Sequence, residues 1–418
     1  MDALTTPLPK DWEAVKVEDI FEIITDFSAA GSFAQQSQMV QYTNDRTNYA
    51  QLIRTTELKN GFNNTNAIYI NKEAFEFLWR VNLNSDAIIL PNIGINCGEI
   101  YYVDIKKLIH KHNALAPNAI LLRTKKANLK FLFYAFLDTW FQKQLINIIT
   151  SSAQPKFTKT DLRDLLIPLP PLNEQIAIAN ILSTLDHYLY SLRALILKKE
   201  SVKKALSFEL LSQRKRLKGF NQAWQRVRLG TYKYRRGSFP QPYGNPQWYS
   251  DNGMPFVQVY DVGENFKLTQ KTKQKISKIA QPMSVFVPKN SVIITLQGTI
   301  GRVALTQYDC YCDRTILIFD NNTLNDVNKY FFVLSLFTKF EEEKRKADGS
   351  IIKTITKQTL KDFEILLPPL NEQIAIANIL STLDHEIISL KNKKRQFDNI
   401  KKALNHDLMS AKIRVLKK

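Results

Sequence analysis

One stretch of nineteen residues occurs twice in this chain of 418 residues and limits how it can fold. The sequence LPPLNEQIAIANILSTLDH runs from Leu169 to His187 and again from Leu367 to His385, an offset of 198 residues. The match continues on both sides without a gap and reaches Ser212 against Ser410. A repeat at a fixed offset indicates a repeated structural unit, so two copies of one module punctuate the chain.

Each copy of the module predicts a long helix. A pair of prolines precedes it, Asn173 or Asn371 is a suitable N-cap residue, and no Pro or Gly follows before Ser212 or Ser410. Apolar residues recur three or four apart in the first copy, at Ile178, Ile181, Leu185, Tyr188, Leu192, Leu195, Val202 and Leu206. A long helix cannot bury such a stripe alone, so we expect the two copies to pack together as a coiled coil.

The two long segments beside the helices read as α+β domains that are distantly related to each other. Each begins with a tryptophan, at Trp12 and Trp224, and each carries an apolar run that leads into glycines, from Ala87 and from Val292. The predicted fold is therefore α+β, with two mixed domains separated by two long antiparallel coiled-coil helices. The predicted domains are 1–156, 157–218 (the central helical module), 219–354 and 355–418 (the C-terminal helical module).

Charge narrows the classes of partner. The chain has 58 Lys+Arg against 39 Asp+Glu, a formal net charge of +19, which favours a polyanion such as DNA or RNA. The charge is uneven, because residues 1–156 hold 16 basic and 15 acidic residues whereas 219–354 hold 19 and 11. Three cysteines, no secretory signal and no apolar run of membrane-spanning length predict a cytoplasmic protein without a membrane partner.

The sequence offers no motif for chemistry of its own. It lacks the Asn-Pro-Pro-aromatic tetrapeptide of amino-methyltransferases, a phosphate-binding GxxxxGK[ST] loop and an HExxH zinc motif. The pair His110 and His112 is read as exposed rather than metal-binding, and no metal site is predicted. We therefore expect no catalytic residues.

The organisation resembles the DNA specificity subunit of type I restriction–modification systems. The duplicated LPPLNEQIAIANIL stretches between two unlike domains carry most of the resemblance, and VIITLQGTIGRVAL from Val292 to Leu305 is similar to a segment of that family's target recognition domains. The resemblance implies a non-catalytic subunit in which each target recognition domain reads half of a bipartite DNA sequence. The helices would set the half-site spacing, give a pseudo-two-fold axis and dock methyltransferase subunits, two by that symmetry.

The same resemblance implies further partners and places the cofactors elsewhere. Endonuclease/translocase subunits would join the methyltransferases on double-stranded DNA. No cofactor is expected in this chain, because S-adenosylmethionine, ATP and Mg²⁺ would bind the partner subunits.

Candidate DNA contacts are basic or amide residues beside turns. In the first domain they are Arg54, Thr55, Thr56 and Lys59, and in the second they are Lys233, Tyr234, Arg235, Arg236, Gln297 and Arg302. The run around Arg235 could equally be a solvated basic turn. The lysines 125, 126, 271, 273, 275 and 278 are read as facing phosphates or merely solvent.

The duplicated Asn-Glu-Gln tripeptide has two interpretations. Asn173, Glu174 and Gln175, with Asn371, Glu372 and Gln373, could serve helix capping alone, or they could form docking surfaces for the methyltransferase. For the chain as a whole, the alternatives to DNA recognition are a coiled-coil protein scaffold without specific DNA binding and an RNA-binding protein. The sequence carries no RRM, KH or OB signature in favour of RNA.

Overall fold

The chain folds into two compact units, of which the first is discontinuous in sequence. The computed structural model describes residues 8–416 apart from 63, 264, 299 and 347–356. One unit comprises Met1–Ala194 with Asn392–Lys418, and the other comprises Leu195–Lys391. Each unit thus combines one α+β segment with the first half of one long helix and the second half of the other. The α+β class with long helices is confirmed, while the predicted boundary at 354/355 lies outside the described residues.

The first α+β segment begins and ends with strands that pair with each other. Its elements are β1 (Glu13–Lys16), α1 (Val17–Ile20), β2 (Ile23–Asp26), α2 (Phe33–Met39), β3 (Ala50–Ile53), α3 (Thr55–Asn60), β4 (Ile68–Ile70), α4 (Lys72–Phe77), β5 (Ala87–Pro91), β6 (Tyr101–Val103), β7 (Asn113–Leu115), β8 (Ala119–Arg123), α5 (Leu129–Phe136), α6 (Thr139–Ile148), α7 (Lys159–Arg163) and β9 (Leu166–Leu169). Because β1 pairs with β9, residues 157–169 belong with this segment, although the sequence grouped them with the helix.

The long helix α8 (Leu172–Leu211) follows, and the second α+β segment comes after it. Its elements are β10 (Gln225–Arg228), β11 (Tyr234–Arg236), β12 (Tyr249–Val257), β13 (Gln274–Ile276), β14 (Val285–Val287), β15 (Val292–Thr295), β16 (Val303–Leu305), β17 (Cys310–Cys312), β18 (Ile316–Phe319), α9 (Lys329–Lys346), α10 (Lys357–Asp362), β19 (Glu364–Leu367) and the second long helix α11 (Leu370–Met409). Among the described residues no helix is long and apolar enough to cross a membrane.

The two segments share one sheet topology despite their different sequences. The sheet β2-β8-β5-β6 of the first corresponds to β11-β18-β15-β16 of the second, and β4-β3-β7 corresponds to β13-β12-β17, which β14 extends. In this second pair of sheets, β3 and β12 each have one antiparallel and one parallel neighbour. The weak relation seen in the sequence, with Ile88 and Ile293 in corresponding central strands, therefore reflects a shared fold.

The two long helices begin two residues earlier than the capping pattern predicts. Helix α8 starts at Leu172 and α11 at Leu370, so Asn173 and Asn371 lie inside the first turn instead of at the N-cap. The backbone N–H groups of Glu174 and Gln175 donate to the carbonyl of Pro171, and the second copy repeats this. Proline is suited to this end of a helix because it has no N–H to leave unpaired.

Within each unit the two helix halves run antiparallel. In the first unit Asp186 pairs with Lys401 while Glu174, twelve residues earlier, pairs with Arg414, thirteen residues later. In the second unit Asp384 pairs with Lys203, and Glu372 pairs with Arg216. The partner numbers rise as the first numbers fall, so the predicted antiparallel arrangement is confirmed inside each unit.

The buried stripe of α8 differs in part from the predicted one. Ile178 and Leu182 are fully buried in the core of the first unit, where they pack with sheet residues such as Ile88 and with Leu408 of α11. Ile181, which the periodicity assigned to the stripe, is 37% exposed, and Leu195 and Val202 are more exposed still. The packing of the α+β segment beside the first turns selects the buried face, and spacing along the helix alone does not show where that segment lies.

This register predicts that shortening two isoleucines on the same helix, Ile178 and Ile181, will lower the free energy of unfolding by very different amounts. Ile178→Ala should lower the free energy of unfolding by about 2–4 kcal/mol, because it removes buried methyl groups and leaves a cavity. Ile181→Ala should lower it by only about 1 kcal/mol, since more than a third of that residue is already in water. Urea unfolding of the two variants measures both values, and equal losses would show that the assigned face is wrong.

Candidate nucleic-acid interface

A buried glutamate fastens the first α+β segment to the start of α8. The Glu174 side chain is 2% exposed, and its carboxylate accepts a hydrogen bond from Trp12 Nε1 at 3.2 Å. Arg414, beyond the end of α11, donates to the same carboxylate through Nε at 2.7 Å and Nη2 at 2.9 Å. Hydrogen bonding to Glu174 and then to Asp11 raises the pKa of Arg414, so the guanidinium is always charged.

The second unit contains the same cluster at corresponding positions. Glu372 is 1% exposed and accepts from Trp224 Nε1 at 3.1 Å and from Arg216 Nε and Nη2 at 3.1 and 2.6 Å. We call each Trp–Glu–Arg cluster a glutamate clamp. A buried carboxylate is tolerated only when it is paired and hydrogen-bonded, and here an indole and a guanidinium supply both.

The glutamine that follows each clamp glutamate also makes hydrogen bonds inside its unit. Gln175 Nε2 donates to the carbonyl of Pro170 at 2.8 Å, and its Oε1 accepts from the backbone of Asn128 at 2.9 Å. Gln373 makes the same two contacts with Pro368 and Asn328.

These contacts bear on the docking candidates. Glu174, Gln175, Glu372 and Gln373 are buried within their units, so their side chains hold the fold and offer no free docking surface. The exposed Asn173 and Asn371 stay candidates for docking. Sequence reasoning missed Arg216 and Arg414, although they are separated by the same offset of 198 residues as the rest of the repeat.

In the first segment the candidate DNA-contacting residues surround the start of α3. Arg54 Nη2 donates to Glu57 at 2.6 Å and to the carbonyl of Asn66 at 2.8 Å, so this guanidinium is committed to a structural ion pair. Thr55 is half-buried and Thr56 is exposed. Arg54 is thus a weaker candidate for reading bases than its sequence position suggested.

Lys59, at the end of α3, links this helix to the loop after β5 through hydrogen bonds. Its Nζ donates to Asn96 Oδ1 at 3.1 Å and to Glu99 Oε1 at 3.0 Å. Ile95 at the tip of that loop is 97% exposed, and Gly94 has the positive φ that the turn requires. The end of α3 and the 94–99 loop therefore form one exposed surface. Nothing in the sequence spacing indicated that these two parts of the chain would lie side by side.

The second segment brings the corresponding turn and loop together. Asp261 is buried and accepts from the backbone of Gln258, as Glu57 does from Arg54. Burial raises the pKa of the Asp261 carboxyl. Arg302 Nη1 donates to the carbonyl of Val262 at 3.1 Å, and Gln297 is exposed at the tip of the β15–β16 hairpin. The surface with Gln297, Arg302 and the exposed Tyr260 is thus the counterpart of the surface with Lys59.

The basic run of the second segment lies elsewhere. Lys233, Arg235 and Arg236 are exposed on or beside β11, at the opposite edge of the sheet from β16, whereas Tyr234 packs against Phe319. Lys233 and Arg235 line an open cleft of about 590 Å³, and Arg235 Nη2 donates to the carbonyl of Phe286 at 3.2 Å. The candidates of this segment therefore form two groups.

The exposed groups of both segments suit binding rather than bond-making chemistry. Guanidinium, ammonium and amide groups at loop tips can contact phosphates and base edges. Among the described residues no three His, Cys, Asp or Glu side chains come together as a metal site would require.

Comparisons with known proteins agree with this arrangement. The family model described as the type I restriction modification DNA specificity domain matches residues 9–200 and 241–397. The chain is 28% identical to a candidate type I restriction enzyme specificity subunit, MjaX, of Methanocaldococcus jannaschii, over 98% of this chain and 95% of the relative.

Solved structures show the same fold. The S subunit of a type I restriction-modification system from M. genitalium superimposes with a TM-score of 0.62 at 16% identity, covering 97% of this chain and 98% of that one. A chain from a study of complex assembly and conformational transition of the type I R-M system gives 0.55 at 16% identity, covering 97% and 99%.

The chain belongs to the family of type I restriction–modification DNA specificity subunits, because the family model covers most of its length. It is accordingly a DNA-recognition subunit and not an enzyme, and catalysis lies in partner subunits. The predicted role is confirmed, and a scaffold without DNA binding is not favoured. The individual DNA-contacting residues stay predictions.

The Arg54–Glu57 pair makes the first segment sensitive to acid. Burial raises the pKa of Glu57, but hydrogen bonds from Arg54 and the backbone outweigh it, and the net pKa is lowered. A lowered folded pKa contributes stability above the unfolded value of about 4.3, and that stability is lost as the pH falls. Glu57→Gln should therefore cost about 1–3 kcal/mol near neutral pH and much less near pH 3.

Glu76→Gln is the matched control, since Glu76 is exposed and, among the described residues, its one ion pair is with Lys72 on the same helix. It should cost less than about 0.5 kcal/mol at either pH. Urea unfolding at the two pH values measures the difference. A Glu57→Gln cost that does not shrink in acid would contradict the ion-pair account.

Proposed function

We propose that the two α+β segments, called here the first and the second reader, each bind one half of a split DNA sequence. The observation that carries this proposal is the duplication inside one chain: the same sheet topology and the same glutamate clamp occur once per reader. Two clamped readers of one topology and different surface sequence are suited to two different half-sites on one duplex.

Within each reader the paired turn and loop are the surface we assign to base contact. In the first reader it comprises Lys59 with the 94–99 loop, and in the second it comprises Tyr260, Gln297 and Arg302. Arginine and lysine suit guanine in the major groove, and glutamine suits adenine. Loops carried on a rigid sheet are also where binding specificity commonly resides.

Co-expression with a candidate methyltransferase, followed by mapping of methylated genomic sites, tests the proposal. A split consensus of two defined half-sites around a spacer of fixed length is the expected result. Methylation at one continuous sequence would contradict two independent readers. No sequence preference at all, together with intact assembly, would favour the protein-scaffold alternative.

We further propose that the long helices set the spacer length. Deleting residues 193–196 of α8 together with 391–394 of α11 removes about one helical turn, or ~6 Å, from both helices at corresponding positions. Because bases on one strand rise ~3.4 Å each, the accepted spacer should change by about two base pairs while the half-sites stay the same. Methylation mapping measures the spacer length. An unchanged spacer in an assembled, active complex would show that the helices do not set it.

The exposed surface at the start of each long helix is the docking surface we assign to the methyltransferase. Leu172, Ile176 and Ile181 are exposed there, and so are their counterparts Leu370, Ile374 and Ile379. Exposed residues have no packing reason to be identical, yet the two copies are identical from Leu169 to His187 and diverge beyond it. Two identical exposed apolar surfaces are suited to two copies of one partner.

The remaining assignments follow from the family. We propose that endonuclease/translocase subunits join the assembly, that S-adenosylmethionine, ATP and Mg²⁺ bind the partner subunits, and that the complex operates in the cytoplasm. The solved chain from the study of type I R-M complex assembly supports an assembly of this kind, since its fold is shared.

The docking assignment predicts a stepwise loss of partners. Ile176→Asp or Ile374→Asp should each remove one methyltransferase from the purified complex, and the double variant should remove both, because a charge at an apolar interface is costly to bury. The mass of the complex by analytical ultracentrifugation reports the number. Leu197→Asp is the control, since Leu197 is equally exposed but corresponds to Arg395 in the second copy. Full assembly by the double variant would exclude this surface.

A further inference from the structure

The two readers differ sharply in the charge carried by corresponding strands. Residues 13–91, from β1 to β5, contain 6 Lys+Arg and 10 Asp+Glu, a net charge of −4. Residues 225–295, from β10 to β15, contain 11 Lys+Arg and 3 Asp+Glu, a net charge of +8. Corresponding stretches of the two readers thus carry net charges of opposite sign.

Part of the excess positive charge of the second reader comes from a row of lysines at one edge of a sheet. Strand β13 is the outer strand of β13-β12-β17-β14, and four exposed lysines lie along it or beside it, at Lys271, Lys273, Lys275 and Lys278. We call them the lysine edge. The corresponding strand of the first reader, β4, is preceded by asparagines and contains no lysine.

Among the described residues none of the four lysines forms a salt bridge, although the carboxylate of Asp261 attracts Lys273. Lys275 Nζ donates to the backbone carbonyl of Asp251 at 2.8 Å, and Lys273 Nζ lies 5.1 Å from the ring centre of Tyr260, so neither contact supplies a negative charge. In the first reader, by contrast, Lys59 pairs with Glu99 and Lys72 pairs with Glu76. The charges of these two lysines are therefore partly neutralised by neighbouring carboxylates.

The contact with Tyr260 also places the lysine edge beside the base-contacting surface of the second reader, to which Tyr260 belongs. Of the four lysines, Lys275 lies on β13, and Lys271, Lys273 and Lys278 lie in the bends and the turn that flank it. Their long, flexible side chains can therefore contact several phosphates of a strand whose bases the neighbouring loops contact.

We propose that the lysine edge is a sequence-independent phosphate-binding surface and that it makes the second reader the electrostatic anchor of the subunit. The second reader binds double-stranded DNA of any sequence, whereas the first reader contributes affinity chiefly when its own half-site is present. The inference rests on the proposed function only in that both readers bind one duplex.

The test replaces Lys271, Lys273, Lys275 and Lys278 with glutamine in the full chain assembled with its methyltransferase. Affinity for a labelled duplex of random sequence is measured over a range of salt concentrations. Loss of four phosphate contacts should reduce the slope of log affinity against log salt by about 3–4. The loss of affinity should be the same for duplexes of any sequence.

The matched control removes equal charge from the first reader, with Lys106, Lys107, Lys111 and Lys130 replaced by glutamine. These side chains are exposed as well, and the slope should change by less than about 1 for this variant. Replacing the four residues of the lysine edge with arginine should restore the slope, which separates lost charge from lost folding. Equal changes in both glutamine variants, or no change in the lysine-edge variant, would overturn the proposal.

Methylation mapping separates this inference from the proposed function. The lysine-edge variant should methylate the same split sequence as the unaltered complex, at a reduced rate that low salt restores. A changed half-site would mean that these lysines read bases and would overturn the anchor. Absence of a split sequence in the unaltered complex would instead refute the two-reader function, whatever the salt dependence of the variants.

Discussion

A carboxylate buried at the first turn of each long helix is the interaction on which each unit depends. Glu174 and Glu372 are almost fully removed from water, and leaving such a charge unpaired would cost about 3–5 kcal/mol. Each is paired by an arginine from beyond the end of the other helix and by a tryptophan from the start of an α+β segment. One side chain therefore joins three parts of the chain that are distant in sequence.

Comparing the two copies distinguishes the residues that the fold requires from the surfaces that differ between the readers. Residues that fasten a reader to its helices occur in both copies, as with Tyr134 and Tyr330, whose hydroxyls donate to Asp186 and Asp384. Burial raises the pKa of both hydroxyls, and the neighbouring carboxylates add to the effect, so both stay protonated donors. The surfaces that face outward differ in charge and in loop sequence. A common frame with two unlike surfaces is what a reader of an asymmetric split sequence needs.

The repeat and its proline boundary sufficed to predict the two long helices. The strand-like runs with glycine breaks between them predicted the α+β class, and both features together indicated the family. The pattern could not predict the glutamate clamps, because Arg414 approaches Glu174 only after the helices have turned back on each other. Likewise, Ile181 fits the apolar period as well as Ile178 does, and only the position of the neighbouring sheet decides which of them is buried. The exposed surface of Lys59 and Asn96 joins two loops whose meeting depends on tertiary structure.

Mapping the spacer lengths methylated by a clamp variant tests most directly whether each clamp fixes its reader to the long helices that we propose set the spacer. In the variant with both Glu174→Gln and Glu372→Gln, each arginine loses its buried charge partner. We expect the half-sites to be unchanged and the single spacer length to broaden to several. A variant with Glu200→Gln and Glu386→Gln, which breaks only exposed ion pairs on the same helices, should keep one spacer length. A folded, assembled clamp variant that still methylates a single, unaltered spacer length would contradict the account.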